Sequence, residues 1–440
     1  MDGYLGAVVG HRNSYFSLWA FLAMVPYTIA AAPSLTLEQA IVQAHRESPR
    51  LQRINAAAEE ASWKPLEAMS SNIPKLNFSV QHFFGVKYQM LDIDFGGPAT
   101  FPEVYPKTQY SLGVSWTIFD GLKTPTLFSA ARNISGAARL EATYAGLQLD
   151  SDVTLKFYRA LGAQLLLAVA EQNVKTLDDH FQKAKVRLNG GTATQFDILR
   201  IKVQLEEATP EKIAADDNLA LARQGLAQSM GLSTDDRPLS GELPVPTESA
   251  IPENLSALTS DRADIKALKQ RAQAASSSVS AAVGGYLPKI TLSAEKDYYN
   301  NNDYAFTTSI KDAYSIGAFL SWDIFDGGAT LARHQQAVHQ AAQAELAARE
   351  AEIRLPTDID QWKRKFLYNV SLYSARVRAI EMADESVRLA RLGFDAGVRT
   401  NTDVLDAELD LFRARAGVVR AQLDAAEAFL NLELALGRKF

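Results

Sequence analysis

The sequence predicts an internally duplicated α+β chain, each half giving two antiparallel β-strands and a long helical hairpin. Three observations predict it. From Tyr314 to Gly328, Ile316, Ala318, Leu320, Trp322 and Ile324 alternate with Gly317, Phe319, Ser321 and Asp323, the period of two of a strand with one apolar face. A second copy, YSLGVSWTIFDG, runs from Tyr110 to Gly121, so that Trp116 and Asp120 stand 206 positions before Trp322 and Asp326. Both copies end in Phe-Asp-Gly and pass at once into a long helical pattern, which from about Thr126 to Leu188 holds no proline.

The repeat extends on both sides of these strands. Ile73-Pro74-Lys75-Leu76 matches Leu287-Pro288-Lys289-Ile290 at a spacing of 214, and Gly191, Asp197 and Leu199 match Gly397, Asp403 and Leu405 at 206. The first copy therefore carries about eight more residues between its two strands, and insertions of this kind collect in exposed loops.

In chain order, residues 1–32 resemble a secretory signal peptide, with His11 and Arg12 before an apolar run from Tyr15 to Ile29 and Ala30-Ala31-Ala32 after it. Pro33 disfavours a cut directly after Ala32, and a short anchor helix is the alternative. Residues 33–232 form the first repeat: a helix from about Leu37 to Ser70 interrupted near Pro49 and Pro65, strands at 75–83 and 109–119 around a loop, and a helical hairpin over 126–230 with a kink at Pro210. Residues 233–260, with Pro238, Pro244, Pro246 and Pro252, read as a linker. Residues 261–440 repeat the order: a helix, strands at 289–298 and 314–325, and a hairpin over 330–436. Leu405, Leu409, Phe412, Ala416, Val419, Leu423, Ala426 and Leu430 form a heptad seam, answered on the outgoing helix by Ile359, Trp362, Phe366, Val370, Tyr373, Val377 and Ile380. At 1.5 Å per residue, the outgoing helix of the first half spans roughly 95 Å and its return roughly 55 Å. The helix after the linker supplies the remainder, so two short helices retrace one long one.

Composition narrows the function. The net charge of −6 offers no basic patch for nucleic acid. The absence of cysteine excludes disulfides, thiolate metal sites and a lipidated cysteine anchor. No segment after the leader reads as the roughly 18 apolar residues of a membrane helix, so contact with a bilayer falls to the strands. Four strands cannot close a barrel, and an open edge in lipid leaves backbone groups unsatisfied. A trimer gives twelve strands, and the small polar phase (Asn77, Ser79, Gln81, Ser115, Thr291, Ser293, Ser321) suits an aqueous lumen. Trp116 and Trp322 then face lipid.

Catalytic signals are weak. His334 and His339 are spaced too poorly to chelate on a helix, and Asp92-x-Asp94 with Gly96-Gly97 lacks the remaining ligands of a calcium loop. No metal, cofactor or enzymatic activity is expected. Thr194-x-x-Asp197 and Thr400-x-x-Asp403 each resemble a capping box at the start of a returning helix. Asp406 shares a helix face with Asp403, and its counterpart in the first half is Arg200.

The duplicated strand–Phe-Asp-Gly–helix junction and the run Gly397-Val398-Arg399-Thr400-Asn401-Thr402-Asp403-Val404-Leu405-Asp406-Ala407 resemble the TolC-like outer-membrane factors. The resemblance implies a homotrimer in the bacterial outer membrane, in contact with its lipid, with a twelve-stranded barrel and a periplasmic tunnel of twelve coiled-coil helices. It implies an exit duct of a tripartite efflux pump or type I secretion system. The tips, at Gly190, Gly191, Thr194, Gly397 and Thr400, would meet a periplasmic adaptor (membrane fusion) protein and an inner-membrane transporter. Asp403 and Asp406 would form a cation-favouring constriction. Asp197, Arg399 and Phe394 would stand at the gate, Phe394 lacking the hydroxyl of the family's tyrosine. A periplasmic coiled-coil scaffold or adhesin without a channel is the alternative.

Overall fold

The computed structural model describes residues 34–84, 89–94, 98–103, 108–251, 262–300 and 312–439. The leader, Gly96 and Gly97, and all of 252–261 and 301–311 lie outside them. The two halves agree in length: the outgoing helices α3 (Lys123–Asn189) and α6 (Ala329–Asp395) have 67 residues each, about 100 Å. The returns α4 (Gln195–Ser229) and α7 (Asn401–Leu436) have 35 and 36. The shorter helices are α1 (Leu37–Glu47), α2 (Pro49–Met69) and α5 (Ala263–Val283). As the lengths require, α3 packs along both α4 and α5, and α6 along both α5 and α7.

The four long strands are β1 (Lys75–His82), β4 (Thr108–Phe119), β5 (Lys289–Asn300) and β6 (Asp312–Ser321). They form one antiparallel sheet in the order β1-β4-β5-β6, so the halves join through β4 and β5 while β1 and β6 are its edges. The register sets the expected phases. Leu76, Val114, Ala294 and Ile316 form one cross-strand row, and Asn77, Gly113, Glu295 and Ser315 form the next on the opposite face. Along β4 the apolar series Tyr110, Leu112, Val114, Trp116 and Ile118 is 39–45% exposed, whereas Ser111 and Gly113 are buried.

Four expectations need correction. The long connection between the strands of the first half is not all loop, because β2 (Gln89–Asp94) and β3 (Pro98–Glu103) pair within it as a separate antiparallel hairpin. Asp92 and Asp94 therefore lie on a strand. Strand β6 stops at Ser321, opposite Lys289 where β5 begins, so Trp322 and Ile324 fall beyond the ladder. Helix α2 runs through Pro65 and breaks only at Pro49, which occupies its first turn, where a missing N–H costs nothing. Finally, α3 does contain a stretch apolar enough to cross a bilayer, but Leu149, Val153, Phe157 and Leu161 from this helix are buried in the core of the bundle.

That core girdles the middle of the helices. It gathers Leu35, Ala40 and Ala44 near the N-terminal side, Phe157 and its neighbours on α3, Leu226 and Met230 at the end of α4, and Val419 on α7. The proline-rich segment takes part rather than merely linking: Leu239 bridges Leu35 in parallel, with Leu35 N–H donating to Pro238 (2.8 Å) and Ser240 N–H to Leu35 (3.0 Å), and Leu243 is buried.

The heptad seam of α7 is covered along its length, none of its eight residues being exposed; α7 packs most extensively on α6, as expected, but part of the seam itself turns to the first half. Leu405 packs with Leu177, Ile198 and Ile201, and Val419 with Phe157, all from the first half. The outgoing helix α6 instead meets a second, smaller stripe: Val387 and Ala390 against Val404 and Ala407, then Phe366 and Val370 against Ala425 and Ala428.

The Phe-Asp-Gly junction is a helix start. Asp120 accepts hydrogen bonds from the Thr124 N–H (2.9 Å) and hydroxyl, and Asp326 does the same for Thr330 at 2.8 and 2.7 Å. These bonds hold the Asp326 carboxyl below the usual range. Gly121 has φ of +72°, and a Cβ on it would lie 2.3 Å from the Gly284 carbonyl oxygen, so glycine there lets the two halves touch. Leu122 follows at φ of +65° where the second copy has Gly328 at +88°. A left-handed conformation costs about 1–2 kcal/mol for a residue with a side chain, and Leu122 is 60% exposed. Replacing Leu122 by Gly should therefore stabilise the fold by about 0.5–1 kcal/mol after the added chain entropy. A higher thermal dissociation temperature of the assembled protein would report it; an unchanged or lower one would contradict it.

Candidate functional site

Both helical tips are built by one device. Each outgoing helix ends on a glycine in the left-handed region, Gly191 at φ of +73° and Gly397 at +75°. Thr192 N–H reaches back to the Arg187 carbonyl (2.9 Å) and Val398 N–H to Gly393 (2.8 Å), with Gly191 and Gly397 donating to Leu188 and Phe394, the Schellman stop. Three residues after each glycine, Thr194 and Thr400 restart the chain with capping boxes. Asp197 accepts from the Thr194 backbone (3.0 Å) and hydroxyl (2.6 Å), and Asp403 from the same groups of Thr400 at 2.8 Å each. Gly190 closes α3 ahead of the turn.

The capping role of Asp197 and Asp403 is thus what the spacing foretold. The bonds from the Thr400 N–H and hydroxyl, with the nearby Arg399 charge, hold the Asp403 carboxyl below its ordinary range, so it carries charge at neutral pH. Asp406, exposed, lies 3.8 Å from Arg200: the two residues that break the repeat's symmetry face each other across the hairpins. An exposed pair of this kind contributes about 0–1 kcal/mol.

The gate residues are only partly brought together within one protomer. Asp197 and Phe394 line one cleft of about 610 Å³ between the two tips, with Arg187, Asp395 and Thr400. Arg399 does not line it and forms no ion pair with Asp197 among the described residues of one chain. Instead the Arg187 guanidinium sits 4.6 Å from the centre of the Phe394 ring and 3.4 Å from an Asp395 carboxylate oxygen. Phe394 thus offers its ring face to a cation where a tyrosine would offer a hydroxyl. Sequence reasoning missed Arg187. It also missed the exposed apolar side chains at the tips, Val186, Phe196 and Val398, the last 80% exposed; their adjacency to the turn glycines was the available signal.

At the other end, Trp116 shares its face of β4 with Val114 and Leu112. Trp116 Nε1–H donates to the Asn72 carbonyl (2.9 Å), and Trp322 Nε1–H to the Tyr286 carbonyl (3.1 Å). Each indole thereby ties the helix-side end of the sheet to the short 3-10 turn before its half's first strand. The opposite phase carries two acids that the expected polar lining omitted. Glu295 pairs across from Gly113 and Asp297 from Ser111, and Asp297 accepts from the Ser111 hydroxyl and from Gln109 Nε2 (3.1 Å).

Comparison with known proteins agrees with this architecture. The TolC outer membrane protein of Vibrio cholerae is 23% identical over 409 residues, covering 90% of this chain and 89% of its own length. The outer membrane efflux protein BepC of Brucella suis is 25% identical over 432 residues, covering 93% and 86%. A solved membrane protein from Pseudomonas aeruginosa superimposes with a TM-score of 0.80 over 91% of this chain and 93% of its own, at 20% identity. The family model described as outer membrane efflux protein matches residues 40–232 and 254–438, both repeats and nearly all of the chain beyond the leader. The chain belongs to the outer membrane efflux protein family, as an outer-membrane channel.

Proposed function

We propose that three copies close edge to edge, β6 of one against β1 of the next, into a twelve-stranded barrel whose twelve long helices enclose one periplasmic duct. The observation that carries this reading is the pair of unpaired edges on a sheet whose exposed face is an apolar row set. Lipid cannot satisfy the backbone groups of an open edge, and three four-stranded sheets exceed the eight strands a barrel needs. The duct serves as the exit of a tripartite efflux pump or type I secretion system. An adaptor protein and an inner-membrane transporter meet it at the tips, where Val186, Phe196 and Val398 supply apolar contact beside Gly190, Gly191, Thr194, Gly397 and Thr400. The chain has no cysteine, so single cysteines at Thr192 and Val398 can be cross-linked cleanly. They should capture the adaptor, and capture only from positions between β1 and β4 would reverse this polarity.

At the mouth, Asp403 and Asp406 from three chains make the cation-favouring constriction. Arg399 reaches Asp197 of a neighbouring copy, while Arg187 holds Phe394 and Asp395 within each copy. Asp403→Ala with Asp406→Ala should remove most of the preference for cations over anions in bilayer recordings, and Arg399→Ser should raise single-channel conductance. Wild-type selectivity in the first variant, as an intact trimer, would place the filter elsewhere.

A further inference from the structure

Two turns above the tip of α7, one carboxylate is shared by three helices from both hairpins. Glu408 is 8% exposed. Its Oε1 accepts from Arg391 Nη2 (2.6 Å) and Nε (3.1 Å) on α6 and lies 2.9 Å from His180 Nε2 on α3. Its Oε2 is buried and accepts no hydrogen bond from the described residues. From α4, Glu207 and Glu211 approach across a cavity of about 70 Å³; Asp384 of α6 and Arg415 of α7 lie on the other side.

We propose that Glu408 is a positioning residue for the tunnel mouth, clasping α3 to α6 and so fixing how the two hairpins stand against each other above the constriction. The proposal rests on the duct reading. The other cross-hairpin ties near the mouth, Arg187–Asp395 and Arg200–Asp406, join partly exposed groups at 3.4 and 3.8 Å, where water competes. Glu408 is shielded, so its partners Arg391 and His180 cannot leave it without stranding its charge away from water. A slide of one residue is about 1.5 Å along a helix, enough to break a hydrogen bond of this length. The idle Oε2 offers a second seat: a small slide can hand one donor from Oε1 to Oε2 and keep the charge paired. The clasp therefore favours two discrete hairpin settings over a continuous range. Burial opposes ionisation of Glu408, but the hydrogen bonds from His180 and Arg391 outweigh it and hold the carboxyl below its ordinary range.

The test compares wild type, Glu408→Gln and the all-apolar triple variant His180→Leu, Arg391→Leu, Glu408→Leu as purified trimers in planar bilayers. Glu408→Gln keeps the shape and removes the charge, so it should shift the closed-to-open ratio by roughly tenfold for each charge-assisted hydrogen bond lost. Its cation-to-anion selectivity should stay at the wild-type value, because Asp403 and Asp406 are untouched; a selectivity change would make Glu408 part of the filter and overturn the positioning role. Should Glu408→Gln fail to assemble, the triple variant, which leaves no buried charge, should assemble and show the same increase in opening. Wild-type opening in an assembled Glu408→Gln or triple variant would overturn the proposal. Absence of conductance in the wild type itself would overturn the duct reading instead.

Discussion

Truncating Phe157 to Ala should cost about 3–5 kcal/mol and leave little assembled protein at the membrane. Phe157 is 1% exposed at the centre of the girdle core. Around it converge α1, the α4 terminus, the 233–251 segment through Leu243, and α7 through Val419. A cavity there loosens the point where both halves and the proline-rich segment are fastened, and a close-packed interior relaxes into such a void only in part. Phe157→Leu, nearer in volume, should retain most of the assembly. Thermal melting of detergent-extracted protein, followed by helical circular dichroism, checks the order wild type, Leu, Ala. Equal melting of Phe157→Ala and wild type would mean that the girdle does not hold the bundle together.

Placing Arg at position 114 should cost about 2–4 kcal/mol per copy if this row lies near the bilayer midplane. Val114 belongs to the wholly apolar row Leu76, Val114, Ala294 and Ile316. The row carrying Tyr110 and Tyr298 lies toward the loops and that of Trp116 toward the helices, which brackets it between aromatic levels. With three copies in one barrel the cost repeats, so Val114→Arg should abolish heat-resistant trimers. The control is one residue further on. Ser115 faces the other way, opposite Lys75 and Ser293, and Ser115→Arg should assemble. If both variants assemble equally, the lipid-facing phase assigned to β4, Trp116 included, is wrong.

Much of this was legible because duplication states each signal twice. The alternation around Trp116 and Trp322, the Phe-Asp-Gly junction and the Thr-x-x-Asp caps each recur at a fixed spacing, and each corresponds to a repeated local structure. What escaped the sequence depended on partners. The alternation through Trp322 and Ile324 continues past the end of β6 because a strand's length is set by its neighbour, here by the start of β5 at Lys289. Pro98 and Pro102 read as breakers, yet a two-stranded hairpin leaves outward N–H positions free, and Pro is tolerated there. The heptad seam of α7 specified that a helix would cover it but not that part of it would turn to the first half. The first hairpin covers the larger side chains, and the alanine stripe lets α6 come close. Glu408 reads as one more charged surface position until His180 and Arg391 are brought against it. Of the residues proposed for the constriction and gate, Arg399, Asp403 and Asp406 lie in the run Gly397 to Ala407, whereas Asp197 and Phe394 lie outside it. The Arg187–Phe394 contact was not, since it joins two distant hairpins.

The most direct test of the central claim is single-channel recording of the purified protein, extracted from outer membranes as a heat-resistant oligomer and inserted into a planar bilayer. A trimer that conducts discretely and favours cations is the result expected of three shared four-stranded sheets above an acidic mouth. A protein that stays monomeric in detergent and inserts without conductance would contradict it, leaving a helical scaffold whose strands close no barrel.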